Sequence, residues 1–152
     1  MSERQTVGAL LDAARLRLER LDPPAAFQAQ AEGALIVDTR CAELRRIDGV
    51  IPGSVHVPLS VLYWRLDSTS GYADPALTDT GRHIVLCCAH GYSSSIAAAT
   101  LHELGFDRAM DIVGGFEAWA AAGLPVIRAQ GRLPVGERRS PRSGRARRAA
   151  TR

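Results

Sequence analysis

The sequence predicts an α/β domain with a parallel central sheet of four to five strands and helices on both faces. Three observations carry this. The runs Ala34-Leu35-Ile36-Val37 and Ile84-Val85-Leu86 are short, apolar and rich in branched residues, as strands buried on both faces are. The segments between such runs alternate with stretches of helical spacing, which requires crossover connections and therefore parallel strands. Gly- and Pro-rich turns, such as Gly49 to Ser54 and Gly114-Gly115, punctuate the ends of these segments.

The elements follow in order. Val7, Leu10, Leu11, Ala14, Leu18 and Leu21 recur at steps of three and four, so Val7 to Leu21 is predicted as an amphipathic helix. Pro23 and Pro24 suit the first turn of a second helix, Ala25 to Glu32, which Gly33 closes. After the strand at Ala34 to Val37, Asp38-Thr39-Arg40 and a short charged turn lead into the Gly49 to Ser54 loop. Val55 to Val57 is a second strand, and Leu59 to Leu66 a helix. Asp67 to Arg82 is mostly connection. His83 to Cys88 is a third, central strand, Ser93 to Leu104 a helix capped by Gly105, Ala109 to Val113 a fourth strand, and Phe116 to Ala122 the last helix.

A chain of 152 residues, 46% of them apolar, suits one soluble domain. No apolar run approaches the roughly 20 residues that span a bilayer, and the N-terminus lacks a secretory pattern, so no membrane association and a cytoplasmic location are expected. The net charge of +3 hides an asymmetry: Arg128 to Arg152 hold nine arginines and one acid, Glu137. The expected organisation is therefore a helical extension over residues 1–22, the domain over 23–127, and an Arg-rich, disordered tail over 128–152. The tail has no aromatic residue for base stacking, which weighs against nucleic-acid binding.

In a parallel sheet, ligands bind outside the carboxyl ends of the strands, which selects the loops after Val37 and after Cys87. The second takes the chain from a buried strand through Cys88-Ala89-His90-Gly91-Tyr92 into a helix beginning at Ser93. A thiol there faces unpaired amides and the positive end of a helix dipole, both of which favour the thiolate. Gly91 lets the loop curl its amides inward as an anion nest.

Cys88-x-x-Gly91-x-Ser93-Ser94 resembles the active-site loop of the rhodanese homology domain. Leu35 to Arg40 resembles that family's strand ending in Asp-x-Arg, Gly49 to Pro58 its Gly-x-Ile-Pro-Gly-Ala signature, and Val113 to Trp119 its Gly-Gly-x-x-x-Trp motif. The resemblance spans residues 24 to 127 and implies a sulfurtransferase. In that chemistry Cys88 takes sulfane sulfur from a donor such as thiosulfate as a persulfide, then passes it to cyanide, a thiol or a sulfur-relay protein. It implies no cofactor and no metal. Ala89, His90, Gly91, Tyr92, Ser93 and Ser94 are the expected substrate-binding residues, with Asp38 and Arg40 supporting the loop rather than reacting.

One departure qualifies this. Many members carry Arg where this chain has Ser93, and Ala89 to Ser94 contain no Arg or Lys. A dianionic donor would rest on amides, hydroxyls and His90, so a catalytically weak binding or sensing module is the alternative. Related phosphatases place an arginine six positions after their cysteine to grip phosphate, where this chain has Ser94, which makes phosphoryl chemistry the weaker reading. Cys87 alternates to the other face of its strand and is expected to pack, Cys41 to lie on the surface, His56 to be structural, and Trp119 to sit in the core.

Overall fold

The computed structural model describes residues 3–128. The chain order is α1 (Val7–Leu16), β1 (Arg20–Leu21), α2 (Pro23–Ala31), β2 (Leu35–Asp38), α3 (Ala42–Asp48), β3 (Val55–His56), α4 (Leu62–Leu66), β4 (Ile84–Cys87), α5 (Ser93–Glu103), β5 (Ala109–Ile112) and α6 (Gly115–Ala121). The five strands form one parallel sheet in the order β1-β5-β4-β2-β3, with β4 at its centre.

Strand alternation divides the interior into two cores. Leu35, Val37, Ile84, Leu86 and Ala109 face α4 and α5, where Leu62, Leu66, Ala97, Leu101 and Phe106 cover them. Ile36, Val85, Cys87, Met110 and Ile112 face α2 and α6, where Ala26, Phe116 and Trp119 pack. Both faces of β2, β4 and β5 are buried, which is why their sequences are apolar instead of alternating, except for Asp38 at the end of β2 and Asp111 within β5.

Three sequence expectations change. The helix predicted over Val7 to Leu21 stops at Leu16, and Arg20–Leu21 is instead the edge strand beside β5. The reason is packing: Leu18 joins the α5-side core and Leu21 the opposite core, which one helical stripe cannot do. The segment before α2 therefore supplies, besides α1, the edge strand Arg20–Leu21 of the sheet. The charged turn after Arg40 is the helix α3, and Leu59 to Leu66 divides into a 3-10 turn, Leu59–Val61, and α4. The disorder expected over 128–152 concerns residues that, apart from Arg128, lie outside the described residues.

Trp119 is fully buried, donates its indole N–H to the Pro125 carbonyl at 2.9 Å and meets Phe27 edge to face. Its side chain ties α6 to α2 on one face of the sheet. Trp119→Ala should destabilise the fold by about 3–5 kcal/mol, read from urea unfolding of the variant and the parent.

Candidate active site

Cys88 follows β4 directly, at the carboxyl end of the central strand, and the chain turns back over it before α5 starts at Ser93. The Gly91 N–H donates to Cys88 Sγ at 3.1 Å, and Ser94 Oγ lies 3.2 Å from the same sulfur. Burial acts first on this thiol and would raise its pKa. Hydrogen bonds from the Ser94 hydroxyl and amide, the Ser93 hydroxyl and the Gly91 amide outweigh it, so the thiol titrates below its ordinary value. Cys87 presents the contrast, one residue earlier. It points into the α6-side core, where burial and then the nearby Asp38 carboxylate push its thiol far up, so it remains an inert packing group.

Two glycine turns hold the loop in shape. The Phe116 and Glu117 amides of α6 donate to the carbonyls of Cys88 (2.8 Å) and Ala89 (3.1 Å). That approach leaves no room for side chains. A Cβ on Gly115 would stand 2.4 Å from the Cys88 carbonyl oxygen, and one on Gly91 2.6 Å from the Gly114 nitrogen. Both residues also have positive φ, 62° and 80°, which glycine adopts freely.

Asp38 and Arg40 form a buried pair. Arg40 Nε and Nη2 donate to the two Asp38 oxygens at 3.0 and 2.7 Å, Arg45 Nε adds a third bond at 3.1 Å, and Arg40 Nη2 also reaches the Gly49 carbonyl. The Arg40 guanidinium lies 3.8 Å over the Phe116 ring. Since Phe116 bonds the Cys88 carbonyl through its amide, Arg40 props the loop indirectly. It is too buried to present an open cation. His56 bonds the Arg40 carbonyl through Nε2, a structural contact. Cys41 is exposed and precedes α3.

The remaining loop residues are spread around the sulfur. His90 is exposed and pairs with Glu117 on α6, away from Sγ. It lines a cleft of about 340 Å³ beside the loop, together with Arg40, Ala89, Phe116, Glu117 and Arg128. Tyr92 is 61% exposed, with its ring under the Arg15 guanidinium. Ser93 and Ser94 begin α5, and only Ser94 is fully buried.

Four polar residues near the loop escape the sequence reading: Arg15, Arg20, Ser95 and Asp111. Arg15 Nη2 and Arg20 Nη2 both donate to the Gly91 carbonyl, at 2.8 and 3.1 Å. Arg20 also forms a two-point bond to Asp111, which in turn accepts the Ser94 and Ser95 hydroxyls, each at 2.8 Å. The one available sequence signal was Asp111 itself, a carboxylate inside the apolar run Ala109 to Val113, which had to find a partner. Arg15 and Arg20 read only as the polar side of an N-terminal helix.

Fold and site together define a parallel α/β domain with an activated cysteine at the end of its central strand. Known proteins place it further. The model of the Rhodanese-like domain matches residues 24–122, and the chain belongs to that family. It is 34% identical over 106 residues to the thiosulfate sulfurtransferase GlpE of Actinobacillus succinogenes, covering 70% of this chain and 86% of that one. The GlpE of Pseudomonas savastanoi pv. phaseolicola is 36% identical, with 68% and 88% covered. Among solved structures, a Rhodopseudomonas palustris protein of unknown function, described as a possible tyrosine phosphatase, superposes with a TM-score of 0.77. It is 32% identical, over 84% of this chain and 98% of that one.

Two outcomes follow from this geometry. Ser94→Ala removes a hydroxyl that favours the thiolate, so the pH midpoint of Cys88 alkylation should move up, and the rate at neutral pH should fall by about tenfold, as measured with iodoacetamide. Gly115→Ala should displace the loop, lowering Cys88 reactivity and costing more than about 1 kcal/mol in urea unfolding.

Proposed function

We propose that this protein is a sulfurtransferase in which Cys88 carries sulfane sulfur as a persulfide. The observation that carries the reading is the buried Cys88 sulfur, held between the Gly91 amide and the Ser94 hydroxyl and ionising below the ordinary thiol range. The thiolate attacks the outer sulfur of the donor. With thiosulfate, the new Cys88 S–S bond forms as the bond to sulfite breaks, and sulfite leaves with the electron pair. An acceptor thiolate or cyanide then attacks the outer sulfur of the persulfide and restores the Cys88 thiolate.

The Gly91 amide and the Ser94 hydroxyl favour the Cys88 thiolate both as the attacking group and as the group released when the acceptor takes the outer sulfur. In the persulfide the charge sits one S–S bond, about 2 Å, further out, where the remaining loop amides are the donors available to it. The GlpE relatives, named as thiosulfate sulfurtransferases, support thiosulfate as donor. An Arabidopsis thaliana relative named as an adenylyltransferase and sulfurtransferase, 37% identical over 79 residues, supports a sulfur-relay protein as an acceptor. The cleft beside Ala89 and His90 adjoins the loop and has room for part of an acceptor next to it. Ala89, His90, Gly91, Tyr92, Ser93 and Ser94 form the substrate-binding loop in this reading, with Asp38 and Arg40 behind it. No helix among the described residues is long and apolar enough to cross a membrane, which is compatible with work in the cytoplasm.

The phosphatase reading has one specific observation in its favour, the description of the Rhodopseudomonas palustris protein. Against it, Ser94 stands where an arginine would grip phosphate and is bonded to the carboxylate of Asp111. Intact mass spectrometry after incubation with thiosulfate or glutathione persulfide should show a gain of about 32 Da, one sulfur, that is absent in Cys88→Ser. No gain with either donor would end the sulfurtransferase reading, and loss of aryl phosphate hydrolysis on making Cys88→Ser would favour the other.

A further inference from the structure

We propose that Arg20, on the N-terminal strand, is a positioning residue for Cys88, balancing the charge of Asp111 beneath the loop and so supplying from behind the cation that the loop itself lacks. The inference rests on Cys88 being the nucleophile. Its physical basis begins with register. Arg20 on β1 stands directly beside Asp111 on β5, so their side chains leave the sheet on one face, the α5 side, under the start of α5.

There Arg20 Nε and Nη2 engage Asp111 Oδ1 and Oδ2 at 2.8 and 3.1 Å, in the two-point geometry for which guanidinium is suited. Asp111 is fully buried and the Arg20 side chain is 17% exposed. Asp111 also accepts the Ser94 hydroxyl, whose oxygen lies 3.2 Å from Cys88 Sγ. One hydroxyl thus separates the carboxylate from the reacting sulfur.

That hydroxyl has a single proton and two neighbours that compete for it. In the thiol state Ser94 donates to Asp111 and accepts from Cys88. In the thiolate state it turns to donate to Sγ, and Asp111 keeps Ser95 and both Arg20 bonds. Arg20 makes this change possible in two ways: it satisfies the carboxylate when Ser94 leaves, and it cancels a negative charge that would oppose the thiolate. Its Nη2 also joins Arg15 Nη2 on the Gly91 carbonyl, which fixes the following peptide so that the Tyr92 N–H points away from both arginines.

The other charged groups around Cys88 are accounted for. Asp38 at the end of β2 accepts from both Arg40 and Arg45, Arg15 donates to the Gly91 carbonyl and the Ser95 hydroxyl, His90 pairs with Glu117 across the loop, and Cys87 faces the opposite core. Among the described residues, the Arg20–Asp111 pair is the one joined to Cys88 through a single side chain. It lies partly outside residues 24–122, the span that matches the family.

The test is the pH profile of Cys88 alkylation by iodoacetamide in the full chain, resolved from Cys41 and Cys87 by peptide mass spectrometry. Arg20→Ala should move the midpoint up and slow the neutral-pH reaction by about tenfold, whereas Arg20→Lys should retain most of the rate. Asp111→Asn, nearly isosteric, should move the midpoint down, and Arg20→Ala/Asp111→Asn should return it close to the parent. A midpoint that stays or rises in Asp111→Asn, or a double variant as slow as Arg20→Ala, overturns the proposal, because a purely structural brace gives losses of one sign. Alkylation reads the thiolate without sulfur transfer. A chain that forms no persulfide but shows these opposed shifts therefore separates failure of the sulfurtransferase reading from failure of this one.

Discussion

The site depends on one backbone contact, the seating of the cysteine loop on the Gly114-Gly115 turn. Two carbonyls of the loop, those of Cys88 and Ala89, are drawn toward the first amides of α6, and a third, that of Gly91, toward Arg15 and Arg20. In a trans peptide the next N–H points opposite to the carbonyl. Fixing these carbonyls from outside therefore turns the amides of Ala89, His90 and Tyr92 away from α6 and from the arginines. The nest is imposed by what grips its carbonyls, and it requires glycine at 91 and 115 because any side chain would enter the contact.

Each buried carboxylate near the site is met by at least one guanidinium group. Asp38 is met by Arg40 and Arg45 on one side of the central strand, and Asp111 by Arg20 on the other. Buried ion pairs of this kind add little net stability, since desolvation offsets most of the attraction. What they provide is a fixed geometry. Arg40 lies on the ring of Phe116, whose amide holds the Cys88 carbonyl, and Asp111 anchors the two serines at the start of α5. The thiolate is thus favoured by short directed hydrogen bonds set by these pairs, against the opposing effect of burial.

Much of this was legible in the sequence because it is local. Strand, loop and helix follow one another around Cys88, so an apolar run, a glycine and a serine pair singled out the candidate nucleophile, and alternation along β4 separated Cys88 from Cys87. The five-stranded sheet was legible except for β1, one of its two two-residue strands. Two residues, Arg20 and Leu21, carry too little pattern to outweigh the helical spacing of Leu18 and Leu21. Helix α3 was missed for a related reason: Ala42 to Asp48 has no buried residue and so no apolar stripe. The arginines behind the loop could not be read because their partners lie far along the chain. Arg20 and Asp111 are 91 positions apart and meet only through the parallel pairing of β1 and β5.

The placement of these arginines bears on which chemistry the cradle favours. Phosphoryl transfer asks for a cation facing the substrate, able to hold several oxygens of a dianion as charge redistributes. Here the guanidinium groups nearest the sulfur are turned away from it and engaged with the Gly91 carbonyl and with Asp111. A phosphate on Cys88 would also lie close to the Asp111 carboxylate, one hydroxyl removed. Sulfur transfer asks for less: a thiolate to attack and one negative charge to hold on the terminal sulfur of the persulfide. The Gly91 amide and the Ser94 hydroxyl hold the thiolate, and the amides of Ala89, His90 and Tyr92 are left for the single charge one S–S bond further out, so the absence of Arg and Lys from Ala89 to Ser94 weighs more heavily on a dianionic substrate than on the covalent intermediate.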